Sequence, residues 1–215
     1  MIPANRESFA IANGRARLPY DAEMEYLEST GTQWIDTGLY PTNNATTVVD
    51  VQLTRVAVSN EPCRIHIIDS KESWNAMART IGYWGNPGNT SRIAVAYGSS
   101  GATPASYADA TNYTTARMKY TIARNVFTIG DLYAHTFAEQ AFTSTVSMKL
   151  LINAAASAAS TAAKLYGWQH YENGVLLQDC VPVRVGSVGY MYDRVSGRLF
   201  GNGGTGSFAL GPDVN

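Results

Sequence analysis

The chain has few charged residues, and it lacks both a basic surface signature and a long apolar run. Only 15% of its 215 residues are charged, and 16 basic residues against 17 acidic ones leave a formal net charge of −1. A nucleic-acid-binding domain usually shows a basic stripe, so we predict no nucleic-acid partner. A membrane-spanning helix needs about 18 or more consecutive apolar residues, so we predict no membrane insertion either.

Cysteine and histidine are too scarce and too scattered to predict a metal site. The chain has two cysteines, Cys63 and Cys180, and three histidines, of which only His66 is close to a cysteine. In an alternating strand Cys63 and His66 would point to opposite faces. No loop carries the closely spaced acids that favour calcium. We predict no metal and no cofactor, and two free buried thiols, with a disulfide between them as the alternative.

The first 22 residues differ in character from the rest of the chain. They are polar, carry Arg6, Arg15 and Arg17, and lack the alternation of strands. They also lack the apolar segment of a secretory signal, so none is predicted. We predict an N-terminal arm over residues 1–22, either a disordered leader or an attachment segment, and one domain over residues 23–215.

From Glu23 onward, short segments of strand character follow one another with turn residues between them. In the clearest, residues 46–56, Val49 and Val51 share one face and polar residues the other. Asn173-Gly174 is the strongest two-residue hairpin signal in the chain. A helix competes with a loop only in the Ala/Ser-rich run 154–163, where we favour the loop. The pattern predicts an all-β fold of two antiparallel sheets packed as a sandwich, with a closed barrel as the alternative.

Two stretches at the ends of the predicted domain resemble a known family. Residues 25–38 read EYLESTGTQWIDTG, and residues 163–213 contain a Val-Pro-x-Arg segment and a Tyr-Asp-x-x-Ser-Gly turn. Both are similar to the concanavalin A-like (laminin-G-like) jelly-roll domains found in phage and prophage proteins of gut bacteria. The resemblance implies a jelly roll and a non-enzymatic module at the virion surface. The segment from residue 65 to about residue 116 departs from the family pattern.

The same resemblance implies a location and a set of partners. The module would be a capsid decoration, a head or tail fibre or a receptor-binding protein, and it would contact host-surface glycans. Other virion proteins would bind through the N-terminal arm. Such modules are usually homo-oligomers, often trimers. A carbohydrate-binding or adhesion domain at a bacterial cell surface is the alternative.

Glycoside hydrolases also use this fold, so an enzymatic function would require a suitably placed pair of carboxylates in the sequence. These enzymes need two carboxylates roughly 5 to 9.5 Å apart, which i, i+2 spacing on a central strand supplies. Glu23 and Glu25 have that spacing but lie where the domain begins, while Asp50 and Asp69 are isolated. The glycine-rich run 201–206 lacks the Lys-Ser/Thr of a phosphate loop and is predicted to be a turn. We therefore predict no enzymatic activity, with a glycoside hydrolase as the less favoured reading.

Aromatic and hydrogen-bonding side chains are concentrated between residues 74 and 113. Sugar sites on β-sandwiches stack aromatic rings on sugar faces and use Asn, Asp and Arg for hydrogen bonds. The alternative is that these aromatics pack within the sheet or in an oligomer interface. The predicted ligand-binding residues are Trp74, Arg79, Tyr83, Trp84, Asn86, Asn89, Tyr107 and Tyr113. Trp34 and Trp168 are predicted to belong to the core.

Overall fold

The described part of the chain is built from β-strands. The computed structural model describes residues 18–54, 64–70, 79–84, 92–98, 107–109, 116–152 and 161–214, and every regular element in these segments is a strand. The prediction of an all-β fold is confirmed. In chain order the strands are β1 (Ala22–Glu23), β2 (Leu27–Thr30), β3 (Ile35–Asp36), β4 (Ala45–Leu53), β5 (Arg64–Asp69), β6 (Arg79–Trp84), β7 (Arg92–Tyr97), β8 (Tyr107–Asp109), β9 (Met118–Ala123), β10 (Val126–Ile129), β11 (Tyr133–Thr136), β12 (Lys149–Leu150), β13 (Ala162–Glu172), β14 (Val175–Val185), β15 (Val188–Asp193), β16 (Leu199–Phe200) and β17 (Ala209–Leu210).

These strands form two sheets, and the pairs within each sheet are antiparallel. The large sheet has 11 strands in the order β11-β10-β9-β4-β13-β14-β15-β16, with β1 beside β14 and β2 between β13 and β17. The small sheet has six strands in the order β3-β12-β5-β6-β7-β8. The long strands β4, β13 and β14 therefore lie next to one another at the centre of the large sheet.

Both sheets contribute to one hydrophobic core. Along β4 every second residue is buried, so Val49 and Val51 face the core while Val48, Asp50 and Gln52 are half-buried. Ile35, Ile67 and Leu150 of the small sheet belong to the same buried cluster. Because each sheet buries a face in a shared core, the arrangement is sandwich-like. The opposite face of the large sheet carries half-buried polar side chains such as Asp50 and Gln169.

The hairpin between β13 and β14 confirms the prediction made from Asn-Gly. Glu172 pairs with Val175, which leaves Asn173 and Gly174 as a two-residue loop. Their φ angles are 50° and 79°. Positive φ at both central residues is the type I′ turn, whose twist matches that of the flanking strands. This turn aligns the two 11-residue strands of the large sheet.

Hydrogen bonds join the opening motif (residues 25–38) to the glycine-rich loop near the end of the chain (residues 201–206). The N–H of Gly203 donates to the Trp34 carbonyl at 2.8 Å, and the Trp34 N–H donates to Asn202 Oδ1 at 3.1 Å. The Thr205 N–H donates to the Thr32 carbonyl at 3.2 Å. The glycine-rich loop is therefore an architectural element, because its backbone N–H groups are used within the domain. The two ends that carry the family resemblance form one unit.

The two tryptophans predicted for the core have different positions. Trp168 is 2% exposed and packs edge-on against Phe200, with ring centroids 5.7 Å apart. Trp34 is half-buried, and Lys149 Nζ lies 5.2 Å from its ring centroid. The prediction was wrong for Trp34, because the inward position on β3 is taken by the next residue, Ile35, which is fully buried.

Two further predictions concern segments that lie largely outside the described residues. β1 begins at Ala22, and the Asp21 N–H donates to the Arg184 carbonyl at 2.8 Å. The chain is thus already paired with β14 at the predicted boundary between arm and domain. Residues 1–17 lie outside the described residues, so the arm stays a prediction. Residues 154–160 of the Ala/Ser-rich run also lie outside them, and β13 begins at Ala162.

Candidate functional site

The residues predicted to bind glycans fall on the small sheet or outside the described part of the chain. Trp74, Asn86, Asn89 and Tyr113 lie outside it. Arg79, Tyr83 and Trp84 belong to β6 and Tyr107 to β8, and β7 separates these two strands. Four of the eight residues thus belong to two strands of one sheet, and their role in binding stays a prediction.

A groove with a volume of about 170 Å³ crosses the outer face of the large sheet. Its side-chain lining alternates along β4 and β14 with residues of the core, so it opens on the face opposite to the core. It lies where β4, β13 and β14 run side by side, with β9 at one edge. The lining residues are Val48, Asp50, Lys119, Tyr166, Gly167, Trp168, Gln169, Asp179, Cys180 and Val181.

A β-bulge in β13 shapes the floor of this groove. The register places Leu165 opposite Val51 and Gly167 opposite Asp50, so Tyr166 is the extra residue. A Cβ on Gly167 would lie 2.9 Å from the Cys180 carbonyl oxygen, which only glycine avoids without moving β14. Bulges redirect side chains, and here Tyr166 and Gly167 are both half-buried instead of alternating. A glycine inside a strand pattern is the sequence signal for such a bulge.

Arg117, just before β9, fixes one end of the groove. Its Nε and Nη2 each donate to a carboxylate oxygen of Asp50 at 2.9 Å. Its guanidinium carbon lies 3.9 Å from the centroid of the Tyr166 ring. The hydrogen bond to Asp50 raises the pKa of Arg117. A guanidinium held between a carboxylate and a ring has one orientation, so Asp50, isolated in sequence, is a paired anion in the structure.

Asp179 and Gln169 form the other end. Gln169 Nε2 donates to Asp179 Oδ1 at 3.0 Å. Arg194 Nη1 lies 4.0 Å from Asp179 Oδ2, and Arg194 Nη2 donates to both carboxylate oxygens of Glu23. Asp50 and Asp179 lie on the two strands that flank β13, whose backbones are roughly 10 Å apart. The fold therefore brings two carboxylates from distant parts of the chain to one groove.

Half-buried tyrosines lie in the same region of the domain. The Tyr26 and Tyr166 rings meet edge-on with centroids 5.5 Å apart, and Lys164 Nζ lies 4.3 Å from the Tyr26 centroid. Tyr20 and Tyr192 meet edge-on at 5.0 Å. Burial, together with the hydrogen bond to Glu23, raises the pKa of Tyr20 to about 12. Tyrosine offers an apolar ring and a polar hydroxyl, which is why it is enriched at binding surfaces.

A Thr-His-Glu chain inside the domain resembles a catalytic triad in its connectivity. Thr47 Oγ1 and His170 Nδ1 share a hydrogen bond of 2.8 Å, and His170 Nε2 lies 3.4 Å from Glu172 Oε1. The Thr42 N–H and hydroxyl both donate to the Glu172 carboxylate. Thr47 and His170 are fully buried. This series of contacts therefore connects β4 to β13, and the Thr47 hydroxyl is not accessible to a substrate.

No metal centre emerges among the described residues. No group of three or more His, Cys, Asp or Glu side chains there is arranged to hold an ion. His66, considered with Cys63 as a metal pair, is buried with Nδ1 3.2 Å from Asp69 Oδ2. Cys63 itself lies outside the described residues.

Cys180 lines the groove although its side chain belongs to the core. It is a free thiol, 1% exposed, and burial raises the thiol pKa well above its usual range, with Asp193 and Asp179 adding to the effect. Because the thiolate is the reactive form, we expect Cys180 in a Cys63→Ser variant to resist iodoacetamide in the native protein. Labelling followed by mass spectrometry checks this, with the same variant in guanidinium chloride as the fully reactive control. Labelling at the same rate with and without denaturant would contradict the burial.

Comparison of the chain with protein-family models, curated proteins and solved structures finds no match. Within the described ranges, no helical segment has the length and apolar character needed to span a bilayer. The assignment of a function consequently depends on the groove and on the resemblance of the two end motifs.

Proposed function

We propose that this chain is a non-enzymatic, glycan-binding module of a phage virion surface, with a concanavalin A-like jelly-roll fold. The observation that carries the binding role is the groove over the bulge of β13, where Asp50, Lys119, Gln169 and Asp179 converge. The virion role is supported by the resemblance of the two end motifs. Those motifs are hydrogen-bonded to each other, as expected of two segments that belong to one structural unit.

The dimensions and chemistry of the groove favour a sugar ring. Its volume of about 170 Å³ is smaller than the roughly 300–1,000 Å³ of pockets for drug-sized ligands. It combines carboxylate and amide groups with Tyr166, Val48 and Val181. Sugars present the same mixture of hydroxyls and apolar C–H faces. One ring of a longer surface glycan would fit, and homo-oligomers would strengthen weak single contacts through multivalency.

The environment of Asp50 supports binding without catalysis. Both of its carboxylate oxygens accept hydrogen bonds from Arg117. A glycosidase carboxylate must reach the sugar or a water molecule directly, whereas both oxygens of Asp50 are directed at the Arg117 guanidinium. Attachment to other virion proteins would use the N-terminal arm, whose predicted boundary with the domain lies beside β14, where Asp21 and β1 are paired.

A Val48→Trp substitution tests the groove. Val48 lies directly opposite Gln169 and faces outward, so an indole there would fill the groove, and a strand accommodates tryptophan well. We expect at least about tenfold weaker binding to bacterial envelope glycans, equal to about 1.4 kcal/mol. Binding of labelled protein to an immobilised glycan panel measures this, with urea unfolding to confirm the fold.

Two further variants make the result interpretable. Val188→Trp is the matched control, because Val188 is 42% exposed in β15 and does not line the groove. Trp84→Ala tests the small sheet. Loss of binding in Trp84→Ala with full binding in Val48→Trp would move the site to β6 and overturn the groove assignment. Absence of binding by the unmodified protein across the panel would overturn the glycan-binding role itself.

A further inference from the structure

Each of the two carboxylates that line the groove lies near a cation of the same domain. Asp50 is held by both hydrogen bonds from Arg117, and Lys119 lies directly opposite Asp50 in the register of β4 and β9. Asp179 accepts a hydrogen bond from Gln169 and lies 4.0 Å from Arg194. Each carboxylate therefore has a cation beside it, and a ligand need bring no charge of its own.

A charged sugar would disturb these contacts. The carboxylate of a uronic acid would meet Asp50 and Asp179 as like charges, and juxtaposed like charges oppose binding. The ammonium of an amino sugar would compete with Arg117 for Asp50 and would meet Lys119. A neutral hydroxyl avoids both conflicts, because it donates to a spare carboxylate lone pair and accepts from an ammonium or amide at the same time.

We infer that the groove selects a single neutral sugar residue, recognised through adjacent hydroxyls, over acidic and amino sugars. This inference rests on the proposed glycan-binding function and names its ligand class. Gln169 Nε2 uses one of its two N–H groups on Asp179 Oδ1, so its second N–H and the remaining carboxylate lone pairs are a donor and an acceptor side by side, which matches two adjacent hydroxyls on one ring. The small volume of the groove limits recognition to one ring.

The inference is tested with three soluble polymers of different charge: mannan, polygalacturonate and chitosan oligosaccharides. We expect mannan to bind at least about tenfold more tightly than either charged polymer. Its affinity should change less than about twofold between low and high salt, since a neutral polymer brings no charge whose attraction to the protein salt could screen. Asp179→Asn should weaken mannan binding about tenfold, because hydrogen bonds to an ionised acceptor are roughly twice as strong as neutral ones. Glu139→Gln is the control, since Glu139 is exposed and does not line the groove.

The possible results separate the inference from the function on which it rests. Tighter, salt-sensitive binding of polygalacturonate or chitosan would overturn the preference for neutral sugars and leave glycan binding intact. Equal binding of all three polymers would also contradict it, as would an Asp179→Asn variant that binds mannan like the unmodified protein. No binding of any polymer, or of the wider glycan panel, would overturn both.

Discussion

Replacing Asp193 by alanine is expected to lower the free energy of unfolding by about 3–5 kcal/mol. The Asp193 carboxylate is 1% exposed and accepts the Ser196 hydroxyl at 2.5 Å and the Ser196 N–H at 3.2 Å. It also accepts the N–H groups of Asp179 at 2.9 Å and Val195 at 3.1 Å. Alanine would leave these donors without their acceptor, and an unsatisfied buried donor is more destabilising than the mean hydrogen bond is stabilising.

This carboxylate explains the Tyr-Asp-x-x-Ser-Gly motif in physical terms. The motif is a turn in which the Asp193 carboxylate accepts hydrogen bonds from the N–H groups of Val195 and Ser196, and Gly197 adopts a φ of 72°. The hydrogen bond from the Asp179 N–H links this turn to β14. Because Asp179 lines the groove, we expect Asp193→Ala to weaken glycan binding as well as stability.

Urea unfolding of three variants separates this role from a general effect of removing an acid. Asp193→Asn should fall between the unmodified protein and Asp193→Ala, because the amide keeps one acceptor oxygen but turns a donor towards N–H groups. Asp131→Ala is the matched control at an exposed turn position and should change stability by less than about 0.5 kcal/mol. Equal stability of Asp193→Ala and Asp131→Ala would show that the turn does not depend on the buried carboxylate.

The features that the sequence predicted correctly are those set by local signals. Alternation over residues 46–56 identified β4, because side chains in a strand alternate between the two faces. Asn173-Gly174 identified the central hairpin, because few residue pairs accept positive φ at both positions. The all-β class follows from many such local signals. None of them depends on which distant strands become neighbours.

The groove depends on pairings that no local pattern contains. Asp50 and Asp179 come together only because β13 lies between β4 and β14, and a shift of one residue in either register would turn one carboxylate towards the core. The pairing of Asp50 with Arg117 arises in the same way. Composition directed the binding prediction to residues 74–113, whereas only Gly167, a glycine inside a strand, signalled the bulge under the groove.

Gly204→Ala is expected to destabilise the domain by about 3 kcal/mol or more, since overpacking against backbone is relieved only by moving the chain. A Cβ on Gly204 would overlap the carbonyl oxygen of Thr32 and lie 2.9 Å from Trp34 Cδ1. The opening motif and the glycine-rich loop would then be forced apart. The hydrogen bonds from Gly203 to Trp34 and from Thr205 to Thr32 would be lost with them.

A double-mutant cycle distinguishes backbone conflict from side-chain conflict in this loop. A Cβ on Gly203 would lie 2.6–2.8 Å from ring atoms of Trp34, so Gly203→Ala should be partly rescued by Trp34→Leu, with a coupling energy of about 1 kcal/mol or more. Gly204→Ala should not be rescued, because its main conflict is with the Thr32 carbonyl. Gly201→Ala is the control, since its Cβ would make an ordinary 3.4 Å contact with Tyr190. If chemical denaturation gave Gly204→Ala and Gly201→Ala the same stability, the close contact between the two ends of the domain would be contradicted.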